Sequence, residues 1–110
     1  MRGIEGEQVL LRLIFSESRH RFREILELLR REGMAGTTVL KGIAGFGHDR
    51  DIHTIDIEVA SIGLPLVIEV VDTAAHIDRV LPKLEPLITD AVVTLERAHV
   101  IRYTKSTPTA

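Results

Sequence analysis

The chain contains no cysteine and no tryptophan, and its aromatic content is one tyrosine and three phenylalanines in 110 residues. Without cysteine there is neither a disulfide framework nor thiol chemistry, which fits a reducing compartment. So few aromatics leave no platform on which nucleic-acid bases could stack. Charge is nearly balanced, with a formal net charge of -2, so binding to a polyanion through bulk electrostatics is not expected. Every apolar run is too short to cross a bilayer, and the opening MRGIEGEQ carries no apolar signal stretch. The reading is a soluble, cytoplasmic protein with no nucleic-acid partner and no direct membrane insertion.

What is present is a globular composition, 45% hydrophobic and 27% charged, at a length that fits one domain with its own core. The expectation is a single domain over residues 1–110, with an ordered core from about residue 7 to residue 103 and a polar tail at 104–110.

VLLRLIF, from Val9 to Phe15, is a short β-branched and leucine-rich run, and predicts a strand. Ser16 and Ser18 offer N-caps for a helix whose buried side is Phe22, Ile25 or Leu26, and Leu29, with Gly33 placed to end it. On its charged side Glu27 and Arg31 stand in the favourable i,i+4 order. TTVLKGI, Thr37 to Ile43, predicts a second strand, and IHTIDIEV alternates apolar with polar as a strand does. LPLVIEVVD, Leu64 to Asp72, is the next strand. Thr73 caps a second helix with Ile77, Val80 or Leu81, Leu84, and Leu87 or Ile88 on its buried side, and Pro82 within it predicts a kink or an unpaired carbonyl near Asp78. A last strand runs from about Val92 to Arg102.

The order β-α-β, an excursion, then β-α-β predicts an α+β, ferredoxin-like split-βαβ sandwich: an antiparallel sheet with two helices on one face. Two helices cover one face only, so the other should alternate to polar. It does not: Leu10 and Ile14 flank a lone Arg12, and Val67 and Val71 flank a lone Glu69. A sheet apolar on both faces predicts burial of the second face against other subunits, the alternative being that the fifth strand or the tail folds over it.

The functional question centres on KGIAGFGHDRDIHT, Lys41 to Thr54. Its glycines fall in the order G-x-x-G-x-G and a strand, not a helix, follows, so neither the dinucleotide fingerprint nor the P-loop fits. His48, Asp49, Asp51 and His53 have metal-ligand chemistry, but two histidines five apart in a loop do not converge by any regular geometry. His20, His76 and His99 are scattered and default to surface or strand-packing roles. No nucleophile stands with an oriented base, so the expectation is a non-enzymatic protein. Glycines at a strand exit can let backbone N–H groups approach an anion; equally, Gly45 and Gly47 can serve only as a tight exit from the strand.

KGIAGFG, then LPLVIEVVD, then LERAHVIRY together resemble the PII signalling superfamily, and most closely its uncharacterised PII-like branch, domain-of-unknown-function family 190. The resemblance spans about Glu7 to Tyr103. It implies a ferredoxin-like homotrimer that binds a small anion of adenine-nucleotide type in clefts between subunits. Carried over residue by residue, the ligand-binding set is Gly45, Phe46, Gly47, His48 and Arg102. The loop at 48–53 would meet a protein partner and become ordered when ligand is bound. The chain departs from PII at several positions. Thr104 stands at the second basic position, LITDAVVTL replaces the phosphate loop, and His48 or Asp49 stands where PII has glutamine. No tyrosine lies between Gly47 and Leu64, which removes PII-type uridylylation. Tight binding of ATP or 2-oxoglutarate is therefore not expected. The rival readings are a metal-binding trimer resembling CutA, with His48, Asp51 and His53 as ligands, and a structural interaction module with no small ligand.

Overall fold

A computed structural model describes residues 2–16, 19–45, 53–54, 65–88, 91–103 and 105. Its elements run β1 (Arg2–Ser16), α1 (Arg19–Arg31), β2 (Gly36–Lys41), β3 (Ala44–Gly45), β4 (His53–Thr54), β5 (Pro65–Asp72), α2 (Ala74–Leu84), a 3-10 turn (Glu85–Leu87) and β6 (Ala91–Tyr103). The main sheet has the order β2-β5-β1-β6, and all its pairings are antiparallel. This is the split-βαβ arrangement expected from the sequence, with β5 inserted between β1 and β2.

Period-two burial fixes the helix-covered face. Along β5 burial alternates strictly, with Leu66, Ile68, Val70 and Asp72 buried. Register places Leu66 opposite Phe15, Ile68 opposite Leu13 and Val70 opposite Leu11, so three buried cross-strand pairs form the floor of the core. From above, α1 contributes Ile25 and Leu29, and α2 contributes Ile77, Val80 and Leu84. Each such side chain removed from water contributes about 1.5–3 kcal/mol.

The helix ends follow local chemistry. Gly33 adopts φ 69°, and the amides of Gly33 and Met34 donate to the carbonyls of Arg30 and Leu29 at 3.1 Å each. These paired bonds satisfy the last carbonyls of α1 and require the left-handed conformation that glycine adopts without strain. Thr73 caps α2, its hydroxyl accepting the His76 amide at 3.2 Å. Pro82 lies within α2, which continues to Leu84 before tightening into the 3-10 turn. The expected Glu27–Arg31 pair is replaced by Glu27 with Arg30, whose Nε donates to Glu27 Oε2 at 3.1 Å. Both spacings lie on one helical face, and the shorter one is taken. A cap from Ser18 falls outside the described residues.

β1 begins well before Val9, the start expected from composition. Its first half, poor in apolar residues, pairs only with β6, Gly6 opposite Val100 and Gln8 opposite Ala98. The edge strand therefore supports a stretch that hydrophobic patterning does not announce. Of IHTIDIEV, only His53 and Thr54 are described, as β4.

Candidate functional site

In β1 Leu10, Arg12 and Ile14 alternate with the buried set, and their partners on β5 are Val71, Glu69 and Val67. Leu40 of β2 is 47% exposed and Val92 of β6 57% exposed on this same side. Both helices pack on the opposite face. The charged centre is a triad: Arg12 Nε and Nη2 each lie 2.9 Å from Glu69 Oε2, and Nη1 lies 3.3 Å from Glu96 Oε1. The Glu69 hydrogen bond, with its charge and that of Glu96, holds the guanidinium above its usual range. Directly opposite Arg12 in register, Thr94 has a buried hydroxyl without a hydrogen-bond partner. Aliphatic residues around one internally paired charge cluster, one guanidinium with two carboxylates, make the surface that Arg12 and Glu69 among apolar neighbours anticipate.

At one end of the sheet lies the base of the loop. β2 leaves the sheet at Gly42, whose amide donates to the Pro65 carbonyl at 2.8 Å. A Cβ on Gly42 would stand 2.5 Å from Pro65 Cγ, so the absence of a side chain lets the two backbones meet here. Three residues later Gly45 pairs with His53, and Ala44 with Thr54, in a two-stranded antiparallel ladder. Gly45 and His53 therefore close the segment 46–52 at its base. Phe46, Gly47, His48 and Asp51 lie outside the described residues. Among the described residues, no three histidine, aspartate or glutamate side chains gather in a metal-binding group.

Arg102 lies at the other end, near the close of β6. Its Nη2 donates to Gln8 Oε1 at 3.3 Å, a long bond to a neutral acceptor that holds the guanidinium weakly. Between Ser16, opposite Pro65, and Glu5, opposite Ile101, β1 rises on the order of 35 Å at ~3.3 Å per residue. The structure thus brings Gly45 to His53, but it does not bring Gly45 to Arg102 within one protomer.

One cluster was not anticipated. Asp72, 6% exposed, accepts from the Ala35 amide at 2.9 Å, the Thr73 amide at 2.7 Å and His76 Nδ1 at 2.9 Å. Burial pushes its carboxyl up, but the two amides and His76 outweigh that and hold it below its ordinary 3.8. His76 Nε2 in turn lies 2.8 Å from the Glu32 carbonyl oxygen. His76, its side chain 17% exposed, is thus a partly buried junction, not the surface or strand-packing histidine expected. The signal available was the i,i+4 spacing of Asp72 and His76 across the start of α2.

A shallow groove of about 240 Å³ opens between the first turn of α2 (Ala74, Ile77, Asp78) and β6 (Leu95, Arg97). None of the sequence-predicted site residues lines it. Among the described residues, no helix is long and apolar enough to cross a membrane.

Comparison with known proteins places this architecture. A UPF0166 protein of Methanocaldococcus jannaschii is 40% identical over 82 residues, covering 74% of this chain and 75% of the relative. A UPF0166 protein of Aquifex aeolicus is 36% identical over 94 residues, covering 86% and 97%. Among solved structures, CPII from Thiomonas intermedia K12, a nitrogen regulatory PII-like protein bound to ADP, AMP and bicarbonate, superposes with a TM-score of 0.71 at 17% identity, covering 90% of this chain and 92% of that one. That likeness shows the PII-like fold. The model of the DUF190 family, described as uncharacterized ACR, matches residues 14–100, and with the relatives above it shows that the chain belongs to this family, built on a PII-like, ferredoxin-like fold.

Proposed function

We propose that the chain is a non-enzymatic PII-like regulatory protein, a homotrimer that binds a small anionic ligand of adenine-nucleotide type in clefts between its subunits. The binding set is Gly45, Phe46, Gly47 and His48 of one subunit with Arg102 of a neighbour, and the loop at 48–53 contacts a protein partner.

The observation that carries the reading is the fold shared with CPII, a protein bound to ADP, AMP and bicarbonate, together with a sheet face on which Leu40 and Val92 are exposed and which neither helix covers. Association through that face removes exposed Leu40 and Val92 from water, and within each subunit Arg12 offsets one of the two carboxylate charges of Glu69 and Glu96. Gly45 and Arg102 lie too far apart in one subunit to share a ligand, so a site holding both takes residues from two. Backbone amides at the glycine-rich exit would receive phosphate oxygens, and the Arg102 guanidinium, weakly engaged by Gln8, would exchange that neutral partner for an anion.

A thermal-shift series with AMP, ADP, ATP, bicarbonate and divalent metals, run on the wild type and on Arg102→Ala, tests the reading. Stabilisation by an adenine nucleotide that is lost in Arg102→Ala supports it. Stabilisation by metal alone, unchanged in Arg102→Ala, favours the metal-binding rival.

A further inference from the structure

Where β5 stops pairing with β1, at Val9, the main sheet narrows to two strands. From Glu5 to Gln8, β1 is paired with Ala98 to Ile101 of β6 alone. Side chains alternate along this ribbon, so Gln8, Ala98, Val100 and Arg102 share the side of Leu10 and Arg12, which neither helix covers.

Arg102 reaches Gln8 along that side. The residue opposite Gln8 is Ala98, and Arg102 stands about 13 Å further along β6 at ~3.3 Å per residue. Its Nη2 nevertheless lies 3.3 Å from Gln8 Oε1, so the two side chains run toward each other past the Gly6–Val100 pair. A guanidinium donates and cannot accept, which fixes the carboxamide oxygen as the atom that meets it. Among the described residues Gln8 is the hydrogen-bond partner of Arg102. Arg12, on the same face, is by contrast held by the carboxylates of Glu69 and Glu96. Arg102 is thus held by a long bond to a neutral oxygen, and a charged oxygen forms a bond about twice as strong.

We propose that Gln8 is a positioning residue that keeps Arg102 in reserve: it holds the guanidinium on the uncovered side of the ribbon and yields it to an anion, so that the neutrality of position 8 sets the affinity of the site. This rests on the reading of Arg102 as a ligand contact. Binding then exchanges one hydrogen bond for another, and the net gain is the difference between them. A stronger acceptor at position 8 lowers affinity, and removal of the acceptor raises it.

The test is calorimetric titration of ADP into the wild type, Gln8→Met and Gln8→Glu, with Gln8→Met repeated in the Arg102→Ala background. Methionine keeps the length of the side chain without its oxygen, and glutamate gives that oxygen a charge. The Kd for ADP should fall about 2- to 10-fold in Gln8→Met and rise on the order of tenfold in Gln8→Glu. With Arg102 replaced, Gln8→Met should have no effect. A side chain that only supported the ribbon would weaken binding in both variants, lower their melting temperatures, and do so with or without Arg102. That outcome, or a Kd indifferent to both substitutions while Arg102→Ala still raises it, overturns the role of Gln8 and leaves the site standing. No binding of ADP to the wild type, or a Kd that Arg102→Ala leaves untouched, overturns the reading of the site and this inference with it. If one variant does not fold, the sign of the shift in the other decides.

Discussion

Gly42, where β2 leaves the main sheet three residues before the Gly45–His53 ladder, and Arg102, near the end of β6, stand at opposite ends of the main sheet. The strand between those ends rises on the order of 35 Å, and no single rotamer of an arginine spans that. A ligand touching both must therefore bridge two copies of the chain. On the proposed reading site and assembly become one question, because a protomer that does not associate would leave Gly45 and Arg102 without a shared ligand.

The open sheet face gives the first prediction. Leu40→Glu together with Val92→Glu places two carboxylates on a surface that the reading buries between subunits, both at positions well exposed in the protomer. Light scattering coupled to size exclusion should show the wild type as a trimer and the double variant as a monomer, with far-UV circular dichroism unchanged. A wild-type monomer, or a variant that remains trimeric, speaks against association through this face.

The exit from β2 gives the second. Gly42→Ala drives a methyl group to 2.5 Å from the Pro65 ring, and the ring is tied by its own carbonyl to the Gly42 amide. Forced overpacking of this kind costs about 1–3 kcal/mol. Urea denaturation should show a lower midpoint with an unchanged slope; a midpoint equal to the wild type would mean that the contact relaxes without cost.

Asp72 gives the third. Its carboxyl titrates below 3.8 in the folded chain, so its contribution to stability is complete above the ordinary carboxyl range and is lost as the pH falls through the lower folded value. Asp72→Ala leaves the Ala35 and Thr73 amides and His76 without their acceptor and should cost on the order of 2–4 kcal/mol near neutral pH. Melting temperatures taken downward from pH 6 should fall more steeply in the wild type than in Asp72→Asn. Parallel acid limbs would show that the carboxylate contributes nothing specific.

The architecture was legible because apolar runs and helical spacing stand out in the chain. The apolar run LPLVIEVVD became β5, whose strict alternation of burial appears only in the structure, and Ile25, Leu29, Ile77, Val80 and Leu84 repeat at helical spacing. Gly33 and Thr73 announced their caps through local chemistry that needs no tertiary context. The first half of β1 did not announce itself, since its pairing with β6 rests on backbone hydrogen bonds that carry no side-chain pattern. The His76 junction was missed for a related reason. Its three other members come from the end of β5, the end of α1 and the turn into β2, and one of them is a backbone carbonyl, which no residue type reveals. Of the candidate site, the exit at Gly42 and Gly45 was legible from its glycines, whereas the separation of Gly45 from Arg102 follows only from sheet register.

The most direct test of the central claim is calorimetric titration of ADP into the purified protein at its measured oligomeric state, repeated with Arg102→Ala. The account predicts one ADP per chain in a trimer, and a Kd raised roughly 10- to 150-fold in the variant, as loss of a charge-assisted hydrogen bond of about 1.5–3 kcal/mol requires. No heat with the wild-type trimer, or an affinity that Arg102→Ala leaves untouched, would contradict it and leave the PII-like fold without a nucleotide site at Arg102.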